Sequence, residues 1–383
     1  KFMQAFAQHN DIPFDELLPL LDLVAVSTAC DIVPVTGENR ILAHFGTQRL
    51  NDAPRPGIKA MLQMSNVKKR LGITDLVFIV GPRINAAGRM EHGKQAVELL
   101  LAKAPGEADQ MCLRVNGNNV QRQEFDRDIT EQAMAMVADD EVLRNAHSTV
   151  VFDPGWHKGV IGIVASRLIE TYYRPTVVLT ESHGMATGSA RSVKGFDVYA
   201  AIEACSDLLD RFGGHMYAAG MTLPLENVEA FRDRFEEVVR ATLPEELRTP
   251  EELIDLELPL SEVNDRLLKV VEYMAPFGPG NMRPVFLARG VVDIGSARIV
   301  GEDHLKLCVR SADGTSKDFD AIAFRMAHHL PLVESGDPFS ILYAIEANEW
   351  QGRVKLQLNI KDIKAGVDNV VVGGASAPAH ATA

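Results

Sequence analysis

Apolar and polar residues alternate most clearly toward the end of the chain, with the period of β-strands. From Met282 onward, short turns separate runs of strand character: PVFLARGVVDIGSARIV, HLKLCVRSADG, KDFDAIAFRM and FSILYAIEANEWQGRVKLQLNIKDIK. About five such runs in close succession are typical of a small closed barrel. The pattern predicts an OB-type β-barrel over residues 282–364, followed by a low-complexity, disordered tail over 365–383.

The middle of the chain combines strand and helix periods. The apolar runs STVVFD and TVVLTE flank the helical pattern of PGWHKGVIGIVASRLIETYYRP, an order typical of α/β architecture. We predict an α/β domain over 141–223 and a helical, acidic connector over 224–281. Residues 106–140 predict one long polar helix, whose sparse apolar positions are those of a helix that bridges two domains.

The first segment, residues 1–105, is predicted to mix helices with short strands. Apolar residues recur at helical spacing between Leu17 and Val24, after Pro19, which favours a helix start. The run LVFIV at 76–80 predicts a buried strand that leads into a loop, GPRINAAGRM. Together the segments predict a fold of the α/β class.

Charge and composition change this picture in one respect. The net charge of −13 over the whole chain disfavours a nucleic-acid partner. Residues 223–281, however, carry 14 acidic and 6 basic residues, and so hold 8 of the 13 excess negative charges. The other segments are near neutral, which leaves room for local basic clefts. No apolar run approaches the roughly 20 residues of a membrane span. The scattered cysteines, without a CxxC pair, suit a reducing cytoplasm.

Asp31 is the first candidate for a functional residue, either as a metal ligand or as a local helix cap. If the helix after Pro19 continues, positions 20, 24, 28 and 31 share a face, and Asp31 projects on the buried side at the helix end. An inward carboxylate is costly unless it is paired or binds a metal. The spacing leaves open whether Asp31 is a metal ligand or a local capping residue.

Two further stretches place guanidinium groups among small residues. In GPRINAAGRM, Arg83 and Arg89 flank Asn85, and guanidiniums recognise phosphate or carboxylate in a bidentate manner. The alternative is an interdomain salt-bridge loop. In ATGSARSVKGFD, an extended chain would point Ser189 and Arg191 to the same side. With Ser192 beside them, they predict either a phosphate pocket or a solvated edge strand.

Two histidines follow or precede glycines. His157, in GWHKGVIGIVASRL, lies at a turn before a helix whose N-terminus favours anions, unless the turn is a plain βα loop. In RFGGHMYAAG, Gly213 and Gly214 remove the bulk before His215. Either a phosphate or a base approaches the backbone there, or the stretch is a tight turn with a half-buried histidine.

The order of these motifs resembles the DHH phosphoesterase superfamily and, within it, the bacterial exonucleases specific for single-stranded DNA. The resemblance runs to about residue 364 and rests on these motifs: DLVAVSTACDIVPVTGENR, GPRINAAGRM, GWHKGVIGIVASRL, GSARS, FGGHMYAAG and MAPFGPGNMRPVF. It implies that residues 1–105 are the C-terminal part of a DHH catalytic domain with a parallel sheet and helices, and that residues 141–223 are the DHH-associated substrate-binding domain. The implied activity is metal-dependent hydrolysis of single-stranded DNA from its 5′ end, in DNA repair and recombination.

The resemblance also implies residue roles. Asp31 would bind a catalytic pair of Mn²⁺ or Mg²⁺ ions, and His215 would be catalytic. The implied DNA contacts are Arg83, Asn85, Arg89, His157, Ser189, Arg191, Ser192, Gly213 and Gly214, with Ser189 and Arg191 on the terminal phosphate. Implied partners are single-stranded DNA with a 5′ end, a single-stranded-DNA-binding protein and a helicase, with no membrane.

One departure is large. The superfamily's paired aspartates and Asp-His-His triplet are absent from the chain and are expected before Lys1. Asp31 alone cannot hold a metal pair, because each ion takes about six ligands. We therefore expect the chain alone to bind DNA without cleaving it. Two alternatives stay open: an inactive DNA-binding accessory protein of the same family, and a DHH phosphodiesterase acting on short oligonucleotides. The C-terminal β domain argues against the second.

Overall fold

The computed structural model describes residues 1–67, 69–350 and 353–367. The chain divides into two compact units. The first unit comprises Lys1–Ala53, Val67–Val77 and Glu252–Ala383, and the second comprises Pro54–Asn66 and Phe78–Glu251.

The helices and strands lie in the following positions along the chain. The α-helices are α1 Phe2–His9, α2 Leu21–Cys30, α3 Gly37–Asp52, α4 Pro56–Met64, α5 Ile73–Asp75, α6 Gly81–Met90, α7 Lys94–Leu101, α8 Pro105–Asp139, α9 Glu141–Asn145, α10 Ile161–Tyr172, α11 Val198–Glu203, α12 Val228–Thr242, α13 Asp265–Tyr273 and α14 Leu330–Glu334. The strands are β1 Thr149–Phe152, β2 Thr176–Ser182, β3 Met185–Arg191, β4 Arg211–His215, β5 Ala218–Leu223, β6 Leu256–Glu257, β7 Phe286–Asp293, β8 Arg298–Val300, β9 His304–Ser311, β10 Phe319–Ala323, β11 Phe339–Trp350 and β12 Arg353–Ala365.

The strand predicted at Leu76–Val80 is wrong. These residues form a π-helical turn that continues directly into α6, so the loop predicted for GPRINAAGRM is also wrong. Leu76 and Val80 are fully buried and lie four positions apart, whereas Phe78 between them is 73% exposed. A short apolar run does not distinguish a buried strand from a helical turn. In the described parts of residues 1–105 all regular elements are helical, so the parallel sheet expected there is not found.

Helix α8 confirms the long helix predicted over residues 106–140. It spans 35 residues and begins with Pro105, whose missing N–H suits the first helical turn. Its first half packs against α4, α6 and α7, and its second half packs against α10 and β1. The sparse apolar positions thus serve two different neighbourhoods along one helix.

The second unit contains the five-stranded sheet, in the order β1-β2-β3-β5-β4. Strands β1 and β2 are parallel and joined through α10, which confirms the strand–helix–strand prediction, while the remaining pairs are antiparallel. Helices α8 and α10 cover one face of the sheet. The opposite face packs on α11 and α12, with Phe231 and Phe235 of α12 fully buried.

The first unit contains a seven-stranded sheet that closes on itself. Five strands form a ring in the order β7-β11-β12-β10-β9, and β9 pairs with β7 to complete it. Strands β10 and β12 are parallel, and every other pair in the ring is antiparallel. The predicted OB-type barrel is confirmed. Its core includes Tyr343, whose hydroxyl donates to the carbonyl of Leu258 at 2.9 Å.

The predicted connector, residues 224–281, is divided between the two cores. Helix α12 belongs to the core of the five-stranded sheet, while Leu268 and Val271 of α13 belong to the core of the barrel. The predicted tail begins inside β12, which runs to Ala365, and residues 368–383 lie outside the described part of the chain. Among the described residues, no helix is both long and apolar enough to span a bilayer.

Candidate nucleic-acid interface

The register of three strands in the second unit places the predicted site residues on one face of the sheet. Residues paired across antiparallel strands project their side chains to the same face. The three cross-strand rows are Arg191–Ala218–His215, Ser189–Gly220–Gly213 and Thr187–Thr222–Arg211. Two strand spacings, about 10 Å, separate the first and last member of each row. The sheet therefore brings together two motifs that lie far apart in the sequence.

Ser189 and Arg191 form a joined pair at one side of this face. The Arg191 Nη1 donates to Ser189 Oγ at 3.0 Å and to the carbonyl of Ala190 at 2.7 Å. Helix α10 approaches closely here, because a Cβ on Gly162 would lie 2.8 Å from Ser189 Oγ and 2.9 Å from Arg191 Nη2. Burial, and after it the charge of Arg89, lowers the pKa of the Arg191 guanidinium. The same-side placement predicted for Ser189 and Arg191 is confirmed.

Arg89 joins this pair from α6, whereas Arg83 does not. Arg89 Nη1 donates to the carbonyl of Gly159 at 3.2 Å, in the turn just before α10. Arg83 is directed along α8, where its Nε donates to Asn116 Oδ1 at 3.1 Å and its Nη1 to the carbonyl of Ile79 at 2.6 Å. Asn85 is exposed on the same helix. Six positions along a helix turn a side chain well away from its starting face, so the two arginines serve different surroundings.

His157 shapes the turn that receives Arg89. Its ring stacks on Phe125 of α8, with centroids 5.1 Å apart and planes 13° apart. Its Nδ1 accepts the N–H of Gly159 at 3.1 Å. These contacts hold the Gly159 carbonyl in place for Arg89, while a direct DNA contact of His157 stays a prediction.

The two glycines before His215 differ in their surroundings. Gly214 has φ +154°, and a Cβ there would lie 2.5 Å from Ala219 Cα. A Cβ on Gly213 would meet nothing within 4 Å, and one on Gly220 would meet only the Gly188 carbonyl at 3.8 Å. Packing therefore requires glycine at Gly214, but not at Gly213 or Gly220. Those two leave the centre of the face without side chains.

His215 is exposed on this face, so the half-buried histidine considered above is wrong. Its Nδ1 accepts the N–H of Tyr217 at 3.3 Å. An Nδ1 that accepts this bond places the proton of a neutral imidazole on Nε2, and the exposed ring can present that N–H to a ligand. Ser192 follows β3 and is engaged locally, with its Oγ donating to the carbonyl of Phe196 at 2.7 Å.

Asp31 lies in the first unit and is exposed, so its predicted buried orientation is wrong. Helix α2 ends at Cys30, and Asp31 is the C-cap with non-helical φ and ψ, so the face shared by positions 20, 24 and 28 stops before it. Burial, and second the charge of Asp31, raises the pKa of the neighbouring Cys30 thiol to about 11.

The metal pair expected from the resemblance does not fit the described residues alone. In that part of the chain, no group of three or more histidines, cysteines or acidic residues is arranged to hold a metal ion. Asp31 offers one carboxylate, and a Mn²⁺ or Mg²⁺ ion takes about six oxygen or nitrogen ligands. The metal role of Asp31 stays a prediction.

Two features near the sheet face were not predicted from the sequence: the ion pairs of Asp126 and a cavity beside the face. Asp126 on α8 forms ion pairs with Arg122 and with Arg167 of α10. The spacing of four between Arg122 and Asp126 was a visible signal, but the approach of Arg167 was not. The open face also continues into a cavity of about 220 Å³, lined by Lys158, Ser182, His183, Met185, Thr187, Asp210, Arg211 and Thr222.

The fold and the site together define a mixed α/β domain with a bare, arginine-flanked sheet face, carried on one chain with an OB-type barrel. Both parts of the chain match known domain families. Residues 125–241 match the DHHA1 domain, and residues 254–362 match the RecJ OB domain.

The relatives confirm the resemblance to the RecJ proteins of the DHH superfamily. The chain is 35% identical to the single-stranded-DNA-specific exonuclease RecJ of Bacillus subtilis, covering 94% of this chain and 45% of that protein. It is also 35% identical to the RecJ of Salmonella typhimurium, covering 94% of this chain and 63% of that one. The chain thus spans about half to somewhat under two thirds of these relatives.

Solved structures agree with this assignment. The crystal structure of RecJ from Thermus thermophilus in complex with Mg²⁺ superposes with a TM-score of 0.79 and 27% identity, over 94% of this chain and 54% of that one. The Mn²⁺ complex of the same protein gives the same TM-score and identity, over 51% of its chain. The predicted fold class is confirmed.

Proposed function

We propose that this chain is the substrate-binding part of a 5′–3′ exonuclease that hydrolyses single-stranded DNA. One observation carries the proposal: glycine stands at Gly213 and Gly220, in the centre of a face flanked by Arg191 and His215, although neither packing nor backbone conformation requires it. A face kept bare in this way suits a chain of phosphates lying against the backbone.

The residues around the bare centre take complementary roles. Ser189 and Arg191 offer a hydroxyl and a guanidinium to the terminal 5′ phosphate, and Arg89 adds a second guanidinium beside them. His215, two strands away, donates from Nε2 to a phosphate oxygen further along the strand. Lys158 and Arg211 line the cavity beside this face, where Asp210 Oδ2 lies 4.0 Å from Arg211 Nε, so Lys158 supplies the unbalanced positive charge next to the backbone path.

The barrel supports a longer single-stranded substrate. Phe324 is 51% exposed at the end of β10, and its ring lies edge-on to His304 at a centroid distance of 5.2 Å. His304 Nδ1 lies 3.1 Å from the N–H of Arg325 and 2.8 Å from Asp303 Oδ1, and these two neighbours position the ring. Exposed aromatic rings beside basic residues are platforms for unpaired bases. A short dinucleotide would not need this second surface.

Divalent metal completes the proposal. The Mg²⁺ and Mn²⁺ complexes of the Thermus thermophilus RecJ support metal use, and such ions would activate water and neutralise charge on the scissile phosphate. We propose Asp31 as this chain's contribution to a two-metal site. The further partners implied by the resemblance, a single-stranded-DNA-binding protein and a helicase, stay predictions, as does a cytoplasmic location.

Asp31 can be tested in the full-length protein. Asp31→Ala should abolish Mn²⁺-dependent cleavage and leave binding of single-stranded DNA largely unchanged, because a lost metal ligand removes chemistry without removing phosphate contacts. The measurement is a nuclease assay in Mn²⁺, paired with a binding titration. Near wild-type cleavage by this variant would remove Asp31 from the metal site.

The 383-residue chain tests the proposal as a whole. We expect it to bind single-stranded DNA in a salt-sensitive manner and not to cleave it. The logarithm of the affinity should fall with the logarithm of salt concentration, with a slope of about −0.7 per phosphate contact. Duplex DNA of equal length is the control. Robust 5′–3′ degradation would show a catalytic centre within this chain, and undetectable binding at low salt would contradict the proposed interface.

A further inference from the structure

The cavity beside the bare sheet face is small and polar. Its volume of about 220 Å³ is below the roughly 300–1,000 Å³ of pockets that enclose a whole small molecule. Among the described residues, its lining holds hydroxyl and basic side chains but no phenylalanine, tyrosine or tryptophan. A cavity of this size and lining suits one polar group of a larger ligand.

The cavity lies at the carboxyl end of the parallel strands β1 and β2. Lys158 belongs to the turn that follows β1, and Ser182 is the last residue of β2. This turn is attached to the sheet, because Thr180 Oγ1 donates to the carbonyl of Trp156 at 2.7 Å. Open α/β sheets bind ligands beyond the carboxyl ends of their strands. The position is therefore one where a ligand is expected.

One side of the cavity is a row of polar side chains on the sheet. Thr187 pairs with Thr222, and Thr222 pairs with Arg211, so the three side chains project to the same face. Neither threonine hydroxyl forms a hydrogen bond within the described part of the chain. The row therefore offers hydroxyl and guanidinium donors to an anion that lies against it.

The charges around the cavity favour a phosphate over a base. Asp210 Oδ2 lies 4.0 Å from Arg211 Nε, so these two charges partly offset each other. Lys158 is exposed and forms no ion pair with the described residues. A lysine ammonium binds phosphate as a compact point charge. The bases of single strands stack mainly on aromatic rings, and the described lining contains none.

We propose that this cavity is a second phosphate subsite, which holds an internucleotide phosphate while Ser189 and Arg191 hold the terminal one. The inference rests on the proposed function, because it places the same strand on the same sheet face. Ser189 and Thr187 are two positions apart on β3, about 7 Å, so a phosphate near the 5′ end reaches the cavity. A mononucleotide has one phosphate and cannot fill both subsites. The cavity thus distinguishes the strand from the mononucleotide product.

The test combines Lys158→Ala with uncharged linkages in the 383-residue chain. The probe is 5′-phosphorylated tetrathymidylate, either with natural linkages or with one methylphosphonate at the first, second or third linkage. Thymidine 5′-monophosphate tests the terminal site alone. Lys103→Ala is the matched control, because Lys103 is also exposed and does not line the cavity. Thr187→Val and Thr222→Val each remove one hydroxyl and keep the branched shape.

We expect Lys158→Ala to bind the natural tetranucleotide about five- to tenfold more weakly. The slope of the logarithm of affinity against the logarithm of salt concentration should decrease by about 0.7. Each valine variant should lose about two- to fivefold. Binding of the mononucleotide should change little, and Lys103→Ala should resemble the wild type.

The position of the uncharged linkage separates a phosphate contact from a structural effect. With methylphosphonate at the first or the second linkage, the wild type should bind more weakly and Lys158→Ala should cause no further loss. At the other linkages the loss in Lys158→Ala should persist. A folding defect would not depend on which linkage is uncharged. Circular dichroism confirms folding, and Lys158→Gln serves as a second neutral variant.

Two results would overturn the second subsite: unchanged binding of the natural strand by Lys158→Ala, or a loss that is the same for every linkage position and for the mononucleotide. A different result would count against the proposed function itself. If the wild type bound the 5′-phosphorylated strand and its 5′-hydroxyl counterpart equally, the terminal phosphate site would be absent. This comparison uses no variant, so the two failures are distinguishable.

Discussion

The barrel of the first unit and the five-stranded sheet of the second use their strands in opposite ways. In the barrel, inward side chains such as Phe339, Tyr343 and Ile360 are buried and fill the interior. In the sheet, the face toward α11 and α12 is packed, while the other face ends in the bare positions Gly213 and Gly220. The barrel closes around a core of side chains, and this core stabilises it. The five-stranded sheet is open, and at Gly213 and Gly220 it exposes main chain although packing does not require glycine there.

The largest expected effect is on the barrel side of this comparison. Tyr343→Ala should lower the free energy of unfolding of the first unit by about 3–5 kcal/mol, because it empties a fully buried aromatic position. Chemical denaturation measures this, with Tyr343→Phe as the control, which loses only the hydroxyl bond to Leu258 and should cost about 1 kcal/mol. We expect Tyr343→Phe to keep the preference for 5′-phosphorylated strands. If a folded Tyr343→Phe variant lost that preference, the barrel core and the binding face of the sheet would not be independent.

The next effect is on the sheet face and concerns binding. Arg191→Ala should reduce the preference for 5′-phosphorylated over 5′-hydroxyl strands about tenfold or more, since a charge-assisted contact is worth roughly 1.5–3 kcal/mol. Titrations with both strands measure it. Arg211→Ala is the matched control, because Arg211 lies on the same face two rows away, and it should weaken both strands alike. Equal losses on both strands in Arg191→Ala would make Arg191 a general backbone contact.

The smallest effect separates two adjacent glycines. Gly214→Ala should destabilise the second unit by about 1–3 kcal/mol, because it forces a strained backbone and a steric overlap. Gly213→Ala should change stability by less than about 0.5 kcal/mol, as expected at an open surface position, yet weaken binding of single-stranded DNA. Thermal unfolding and a binding titration test both variants. Unimpaired binding by Gly213→Ala would mean that the bare centre is not where DNA lies.

Much of the architecture followed from residue patterns. The barrel strands and the strand–helix–strand unit each repeat a clear period over many residues, and both were predicted correctly. Helix α8 was predicted correctly from its long polar stretch with sparse apolar positions. The predictions failed where the pattern was short. Five apolar residues at 76–80 do not distinguish a strand from a helical turn, and the orientation of Asp31 depended on a helix end that moved by one residue.

The candidate site also has features that the local sequence determines and features that depend on tertiary packing. The sequence alone determined that Ser189 and Arg191 project to the same side, because alternation within one strand is local. Only tertiary structure decided that Arg89 joins them while Arg83 turns to Asn116, since helix phase and packing on α8 set those directions. Gly213 and Gly214 are identical in residue type and adjacent in sequence. The pairing of β4 with β5 leaves space for a side chain at Gly213 and none at Gly214. These contacts depend on the register between the two strands, and the sequence of a single strand does not contain that register.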